Sequence, residues 1–280
     1  MSEPWMVEID SPALLEFRGP DAVRYLNGQL TQDVRKVAGG NVSLPSCVTD
    51  AKGRLQFRVW ITESPEGNLW VEGNTATAEA LEARLTRYLI ADDVEVCDRT
   101  GKYRLLHWIG SEVPDPPSCV VARASRRFYA GGMDWWCPAG ESFNVPETAR
   151  CLTGGALEDF RIRHGVPLWG SELEEGLLPP EAGLDVTDIS YHKGCYIGQE
   201  VISRIKYAGK VNKRLVRMNL PEDLPLDDLT LSNPDGRQAG WITSVSPLVS
   251  GGMRPALAYL KRGAENIHIA GLEIMPMEGN

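Results

Sequence analysis

The densest concentration of reactive side chains is Lys193-Gly194-Cys195-Tyr196-Ile197-Gly198-Gln199-Glu200. A thiol, a phenol, an amide and a carboxylate share one short loop, and two glycines open turns closed to other residues. Such a loop can present a reactive cysteine. His192 and Lys193 stand close enough in sequence to lower the Cys195 pKa and make a thiolate accessible at neutral pH. The competing reading is a structural turn around an inert, half-buried thiol. His192 and Cys195 form a nucleophile–base dyad only if one side chain orients the other.

Elements on both sides must hold this loop. Ala13 to Phe17 reads as a strand, and Gly19-Pro20-Asp21 then opens a helix to about Leu30 with Ala22, Leu26 and Leu30 on one face. Leu55, Phe57, Val59 and Ile61 alternate with Gln56, Arg58 and Trp60, the pattern of a half-buried strand. Leu69 to Glu72 is its hairpin partner. Asn74 or Thr75 caps a helix to about Tyr88, with Ala76, Ala80, Leu81, Leu85, Tyr88 and Leu89 as its stripe. Tyr103 to Ile109 is a further strand, and Cys151 to His164 a further helix. Beyond Lys210, runs at 214–220, 238–245, 256–260 and 265–274 separated by turn residues describe a small all-β barrel. The order of elements is that of an α+β fold, with residues 1–208 and 209–280 as its two parts.

Composition narrows the function. The chain has 280 residues, 42% apolar and 24% charged, with a net charge of -9. That excludes disordered, collagenous and coiled-coil classes and disfavours a general nucleic-acid coat protein. Six cysteines occur without a C-x-x-C pair, so no zinc ribbon or chain-ligated cluster is expected. No export signal and no membrane span are visible, and a cytoplasmic monomer is the default expectation. Nucleotide loops, G-x-S-x-G and paired-histidine metal motifs are absent from the sequence. Lys193, Arg204, Lys206, Lys210, Lys213, Arg214 and Arg217 against Glu200 make residues 193–217 +6, leaving -15 elsewhere. Such a segment suits an anionic ligand, a polycarboxylate tail or RNA, or else a solvated face paired with the acidic run 222–228.

The loop and its continuation, K-G-C-Y-x-G-Q-E followed by Arg204, Lys206-Tyr207-Ala208-Gly209 and Lys213-Arg214, resemble the signature of the YgfZ-type folate-binding proteins. These are relatives of the glycine-cleavage T-protein, an aminomethyltransferase. Further segments agree: Arg18 to Ala22, Gly28-Gln29-Leu30-Thr31-Gln32-Asp33-Val34, Asp50-Ala51-Lys52-Gly53-Arg54, Arg163 with Gly165-Val166-Pro167, Leu178 to Leu184, and Gly240 to Ser244. The resemblance implies a three-lobed, T-protein-like ring, mixed α/β folate-binding subdomains followed by a small C-terminal β-barrel. It implies tetrahydrofolate or a derivative as ligand. Lining candidates are Asp50, Thr31, Asp33, Gln199, Glu200, Tyr196 and, for the anionic tail, Lys193 and Arg204, with Trp135 or Trp136 as a wall or as core.

Departures separate transferase from accessory protein. The aminomethyltransferase aspartate after an Asn-Ala motif has no counterpart in Val71-Glu72-Gly73-Asn74-Thr75-Ala76, and Glu79 falls inside a predicted helix. Tyr129-Ala130-Gly131-Gly132-Met133-Asp134 lacks the glutamates of the pterin-gripping motif. Cys195 marks the YgfZ branch. The resemblance therefore implies a folate-binding accessory factor for iron–sulfur cluster assembly or repair, serving client proteins that include tRNA-modifying enzymes, with Cys195 as its thiol and a weak tRNA contact. The alternative is a tetrahydrofolate-dependent aminomethyl or one-carbon transferase using Glu79, Glu72 or Asp50 as base.

Overall fold

The computed structural model describes residues 4–9, 13–73, 78–110, 113–141, 149–209 and 211–277. The expected helix cap at Asn74 or Thr75, Ala76 and the basic Lys210 lie outside them. The chain forms two compact units, residues 1–152 with 185–201, and 153–184 with 202–280.

The first unit begins with β1 (Trp5–Ile9), β2 (Ala13–Arg18) and α1 (Ala22–Gln29). There follow β3 (Leu44–Thr49), β4 (Leu55–Glu63), β5 (Leu69–Gly73), α2 (Ala78–Thr86), β6 (Glu95–Asp98), β7 (Tyr103–Ile109), β8 (Val121–Ser125), β9 (Gly132–Pro138) and β10 (Arg150–Cys151). One sheet has the order β3-β4-β5-β2-β6 and the other β10-β1-β7-β9-β8. Helices α1 and α2 cover one face of the first sheet, where Leu26, Leu30, Leu81 and Leu85 meet Phe17, Val48, Val59, Ile61 and Val71. Its other face packs Leu14 and Trp70 on Leu105, Val121 and Trp136 of the second sheet.

Burial on both faces corrects the half-buried reading of β4. Phe57, Val59 and Ile61 do face the helices, but Trp60, on the face read as solvent-exposed, is buried too, as is Thr62 beyond it. Alternation reports one covered face, and here a second layer covers the other. Helix α2 also stops short of Tyr88, which is exposed together with Ala80.

In the second unit, α3 spans Gly154–Arg163 rather than starting at Cys151, which belongs to β10. Helix α4 (Gln199–Ala208) leads to β11 (Lys213–Pro221), β12 (Thr230–Ser232), β13 (Gln238–Val245), β14 (Met253–Lys261), β15 (His268–Ile269) and β16 (Leu272–Glu273). The sheet order is β11-β14-β13-β12-β15-β16. Past β16 the chain returns to β11 through a Met218–Pro276 bridge and a Met277 N–H bond to the Arg217 carbonyl. The expected strand over 265–274 is a tight hairpin, because Ala270 and Gly271 both take positive φ, 48° and 81°. Arg161 ties α3 into this unit by donating to Glu158, Glu172, Ser244 and the Val166 carbonyl.

Leu26 has no exposed surface and links α1 to the first sheet. Leu26→Ala is expected to cost about 3 kcal/mol in urea denaturation. A loss below about 1 kcal/mol would contradict this account of how α1 is held.

Candidate functional site

Helix α1 ends with several carbonyls in need of donors. Its last N–H bond runs from Leu30 to the Leu26 carbonyl at 3.0 Å, after which Leu30 turns extended, with φ -113° and ψ 150°. No basic residue lies in its last turn. Carbonyls at such an end must find partners elsewhere, and segment 190–197 supplies them. The Lys193 ammonium donates to the carbonyls of Asn27 at 2.6 Å, Leu30 at 2.6 Å and Gln32 at 2.9 Å. The Ile197 N–H bonds the Gly28 carbonyl at 3.2 Å, and the Ser190 N–H bonds that of Thr31 at 3.0 Å.

Lys193 is thus a buried internal cap. An ammonium has three donors and all three are committed. Burial pulls its pKa down to about 7, opposed by the Asp33 carboxylate, and the carbonyl dipoles also favour the charged form. The ammonium lies 5.1 Å from the Tyr196 ring centroid. Tyr196 is buried as well, and burial raises its phenol pKa. Its hydroxyl has no hydrogen-bond partner among the described residues.

Downstream of Tyr196, the Thr49 hydroxyl donates to the Ile197 carbonyl at 2.6 Å. Gly198 has φ +87°, and a Cβ there would lie 2.5 Å from the Asp50 carbonyl oxygen and 2.8 Å from Gly53 Cα. Only glycine fits this contact between the loop and the β3–β4 turn. Between the anchors Lys193 and Tyr196, Gly194 and Cys195 are exposed.

Upstream, Asp188 is fully buried. Arg58 of β4 grips it with Nε at 2.7 Å and Nη2 at 3.2 Å, and the Thr187 hydroxyl donates to it at 2.6 Å. Thr31 donates to the Asp188 carbonyl at 2.7 Å, and Gln32 Nε2 to that of Thr187 at 2.9 Å. Burial disfavours the Arg58 charge, yet Asp188 more than compensates and raises its pKa. Tyr129, beside this pair, has φ +60°, uncommon for a bulky residue.

A second buried ionic group lies between the two sheets. The Arg127 guanidinium sits 4.5 Å from the Trp60 ring centroid, pairs with Glu72 at 2.6 Å and donates to Asp134 Oδ1 at 2.8 Å. His107 Nδ1 also reaches Asp134 Oδ1 at 2.8 Å. Burial pushes the Asp134 carboxyl up, but Arg127 and His107 together hold it well below its ordinary 3.8.

The structure redistributes the candidates. Thr31 is buried and divided between Asp188 and the Cys47 N–H. Asp33 is chelated by Arg35 at 2.8 Å to each carboxylate oxygen, and its Oδ1 also accepts the Arg35 N–H. Asp50 Oδ1 accepts the N–H groups of Lys52 and Arg54, closing the β3–β4 turn. Thr31 and Lys193 thus bond the returning segment, Asp50 closes the turn that Gly198 packs against, and Asp33 favours the Lys193 charge from a distance. Gln199 is half-buried at the start of α4, whereas Glu200 and Arg204 are exposed on it. Trp135 and Trp136 are core, the former against Trp108 and the latter against Trp70, the core alternative of the two readings. Among the transferase-base candidates, Glu79 is exposed on α2 and Glu72 is tied to Arg127. The +6 segment is not one solvated face, since Lys193 is buried and Lys213 lies 4.4 Å from the Tyr259 ring centroid. Sequence reasoning passed over Arg58 and Asp188. Nothing local announces a partner 130 positions away. Among the described residues no group of three or more His, Cys, Asp or Glu is placed to hold a metal ion.

No family model matches the chain. The architecture is that of the T-protein class: the glycine-cleavage aminomethyltransferase T of Bartonella henselae superimposes with a TM-score of 0.75 at 16% identity, covering 98% of this chain and 84% of that one. In sequence the chain resembles the YgfZ-type proteins. It is 28% identical over 276 residues to the tRNA-modifying protein YgfZ of Pectobacterium atrosepticum, covering 88% of this chain and 80% of that protein. It is 29% identical over 248 residues to a mitochondrial iron–sulfur cluster assembly factor IBA57 homolog of Chaetomium globosum, covering 75% of this chain. The chain spans about half the length of that fungal relative, 55%. Among the described residues no helix is long and apolar enough to cross a membrane.

Two outcomes follow from the geometry. Gly198→Ala is expected to destabilise the fold by about 2 kcal/mol or more, because a left-handed site and a backbone contact are both violated; unchanged stability in denaturant would count against the loop–turn contact. Asp134 binds its proton less readily when folded than when unfolded, so its contribution is present above about pH 4 and is lost as pH falls below that. Asp134→Asn is expected to flatten the acid limb of the stability curve, and an acid limb as steep as wild type would contradict the ion-pair assignment.

Proposed function

We propose that this protein is a tetrahydrofolate-binding accessory factor that supports iron–sulfur cluster assembly or repair, including the iron–sulfur enzymes of tRNA modification. The observation that carries the reading is the Cys195 thiol, exposed between two buried anchors in a loop stapled to the end of α1. A solvent-facing thiol can meet a partner outside the chain, as a buried one cannot; Cys119 and Cys151 are also exposed, so the anchored loop around Cys195, not exposure alone, supports the reading. The fold likeness to a T-protein and the sequence likeness to YgfZ and IBA57 proteins support the same reading.

For the folate, the residues present offer suitable chemistry. A pterin edge wants a carboxylate and hydroxyl groups, and the tail wants cations. Asp134 Oδ2 and the Tyr196 hydroxyl are buried polar atoms without hydrogen bonds among the described residues, and Arg204 is an exposed cation. With Lys193 and Thr31 spent on support, Asp33 on Arg35 and Asp50 on its turn, we assign ligand contacts to Tyr196, Gln199, Glu200 and Arg204. We take residues 1–208 as the folate-binding region of a three-lobed ring, 209–280 as its barrel, and the protein as a cytoplasmic monomer with at most a weak tRNA contact. A one-carbon transferase is the lesser reading, because Glu72, Glu79 and Asp50 are ion-paired, exposed on a helix, or engaged in a turn.

The test combines tetrahydrofolate titration with client activity in a strain lacking the gene. Cys195→Ser is expected to keep tetrahydrofolate binding and to leave the iron–sulfur enzymes as impaired as the deletion does. Full rescue by Cys195→Ser would remove the thiol from the account, and wild-type protein that binds no tetrahydrofolate would remove the ligand.

A further inference from the structure

The Lys193 side chain does something that neither a solvated charge nor a ligand-gripping cation would do. Three carbonyls, of Asn27, Leu30 and Gln32, converge on one nitrogen at 2.6, 2.6 and 2.9 Å, and the residue is only 8% exposed. We propose that Lys193 is the positioning residue of the thiol: by capping α1 with all three of its donors, it fixes where Cys195 stands in solvent. This rests on the proposed function only for what the thiol does once it is presented.

The chemistry of the anchor selects lysine. A tetrahedral ammonium can serve three converging acceptors, whereas a guanidinium offers its donors in a planar fork and cannot. A hydrocarbon side chain would leave three buried acceptors unpaired. The groups around the ammonium are Asp33, whose carboxylate favours the charge, Arg35, which opposes it, and the Tyr196 ring at 5.1 Å. Cys195 lies two residues from one anchor and one residue from the other. With the chain spanning at most about 3.6 Å per residue, the thiol has little freedom while both anchors hold. If Lys193 lets go, Tyr196 loses the cation packed against its ring, and Cys195 is held between the Ser190 contact upstream and the Ile197 and Gly198 contacts downstream, a longer and looser span.

The first measurement uses the wild-type protein. In a 15N-lysine spectrum at pH 6, one ammonium is expected to show hydrogens protected from exchange, assigned to Lys193 by its loss in Lys193→Met. Absence of any protected ammonium overturns the proposal, and this holds even if the variants do not fold. The second measurement is iodoacetamide alkylation of Cys195 in a background where Cys97, Cys119 and Cys151 are serine. Lys193→Met is expected to speed alkylation by about tenfold or more, since unpaired buried acceptors favour an opened loop. Lys193→Arg should fail to restore the wild-type rate. A folded Lys193→Met alkylated within about twofold of wild type, or full restoration by Lys193→Arg, would overturn the assignment. Neither readout involves folate or a client, so a failure here is distinguishable from a failure of the proposed function.

Discussion

The carbonyls at the end of α1 need donors, and the first unit is arranged around meeting that need. Asn27, Gly28, Leu30, Thr31 and Gln32 all pass their backbone oxygens to residues of segment 190–197. A buried carbonyl left unpaired costs about 1 to 3 kcal/mol, so this contact is enforced several times over. The same contact sets where the Cys195 thiol stands. Lys193 and Tyr196 go inward, and the intervening Gly194 and Cys195 are left outward. Thiol exposure therefore follows from how the helix is capped.

Two buried ionic groups support that arrangement from behind. Arg58 and Asp188 set the start of the returning segment, and Arg127 with Glu72, Asp134 and His107 joins the two sheets. They meet at β4, where Arg58 lies 5.9 Å and Arg127 4.5 Å from the Trp60 ring centroid. Buried pairs of this kind are costly to break, because removing one partner strands the other charge. They make β4 a strand with two covered faces, one apolar toward the helices and one polar toward the second sheet.

Local periodicity made much of this fold legible. The strands over Tyr103–Ile109 and Gln238–Val245 and the helix after Asp21 follow from spacing and turn residues alone. The loop at 193–200 was legible by composition, since its polar and thiol-bearing residue types crowd into eight positions. The duties of its members were not. Lys193 reads as a free cation because its partners lie 161 to 166 residues earlier. Arg58 reads as a solvent-facing residue because alternation carries no information about a second sheet. Trp135 and Trp136 read as wall or as core, and only their neighbours Trp108 and Trp70 decide for core.

On a fold like that of a T-protein, this chain carries an exposed thiol on a loop bonded to a neighbouring helix end, alongside carboxylates committed to arginines. The central claim is that segment 190–197 and the end of α1 form one structural unit. Native-state hydrogen exchange tests it most directly, through the amides of Ser190 and Ile197, which bond Thr31 and Gly28. The expected result is that both exchange only by the opening that exposes β3 and β4, with the same free energy and denaturant dependence. Exchange at rates close to those of an unstructured loop, while β3 and β4 stay protected, would contradict the account.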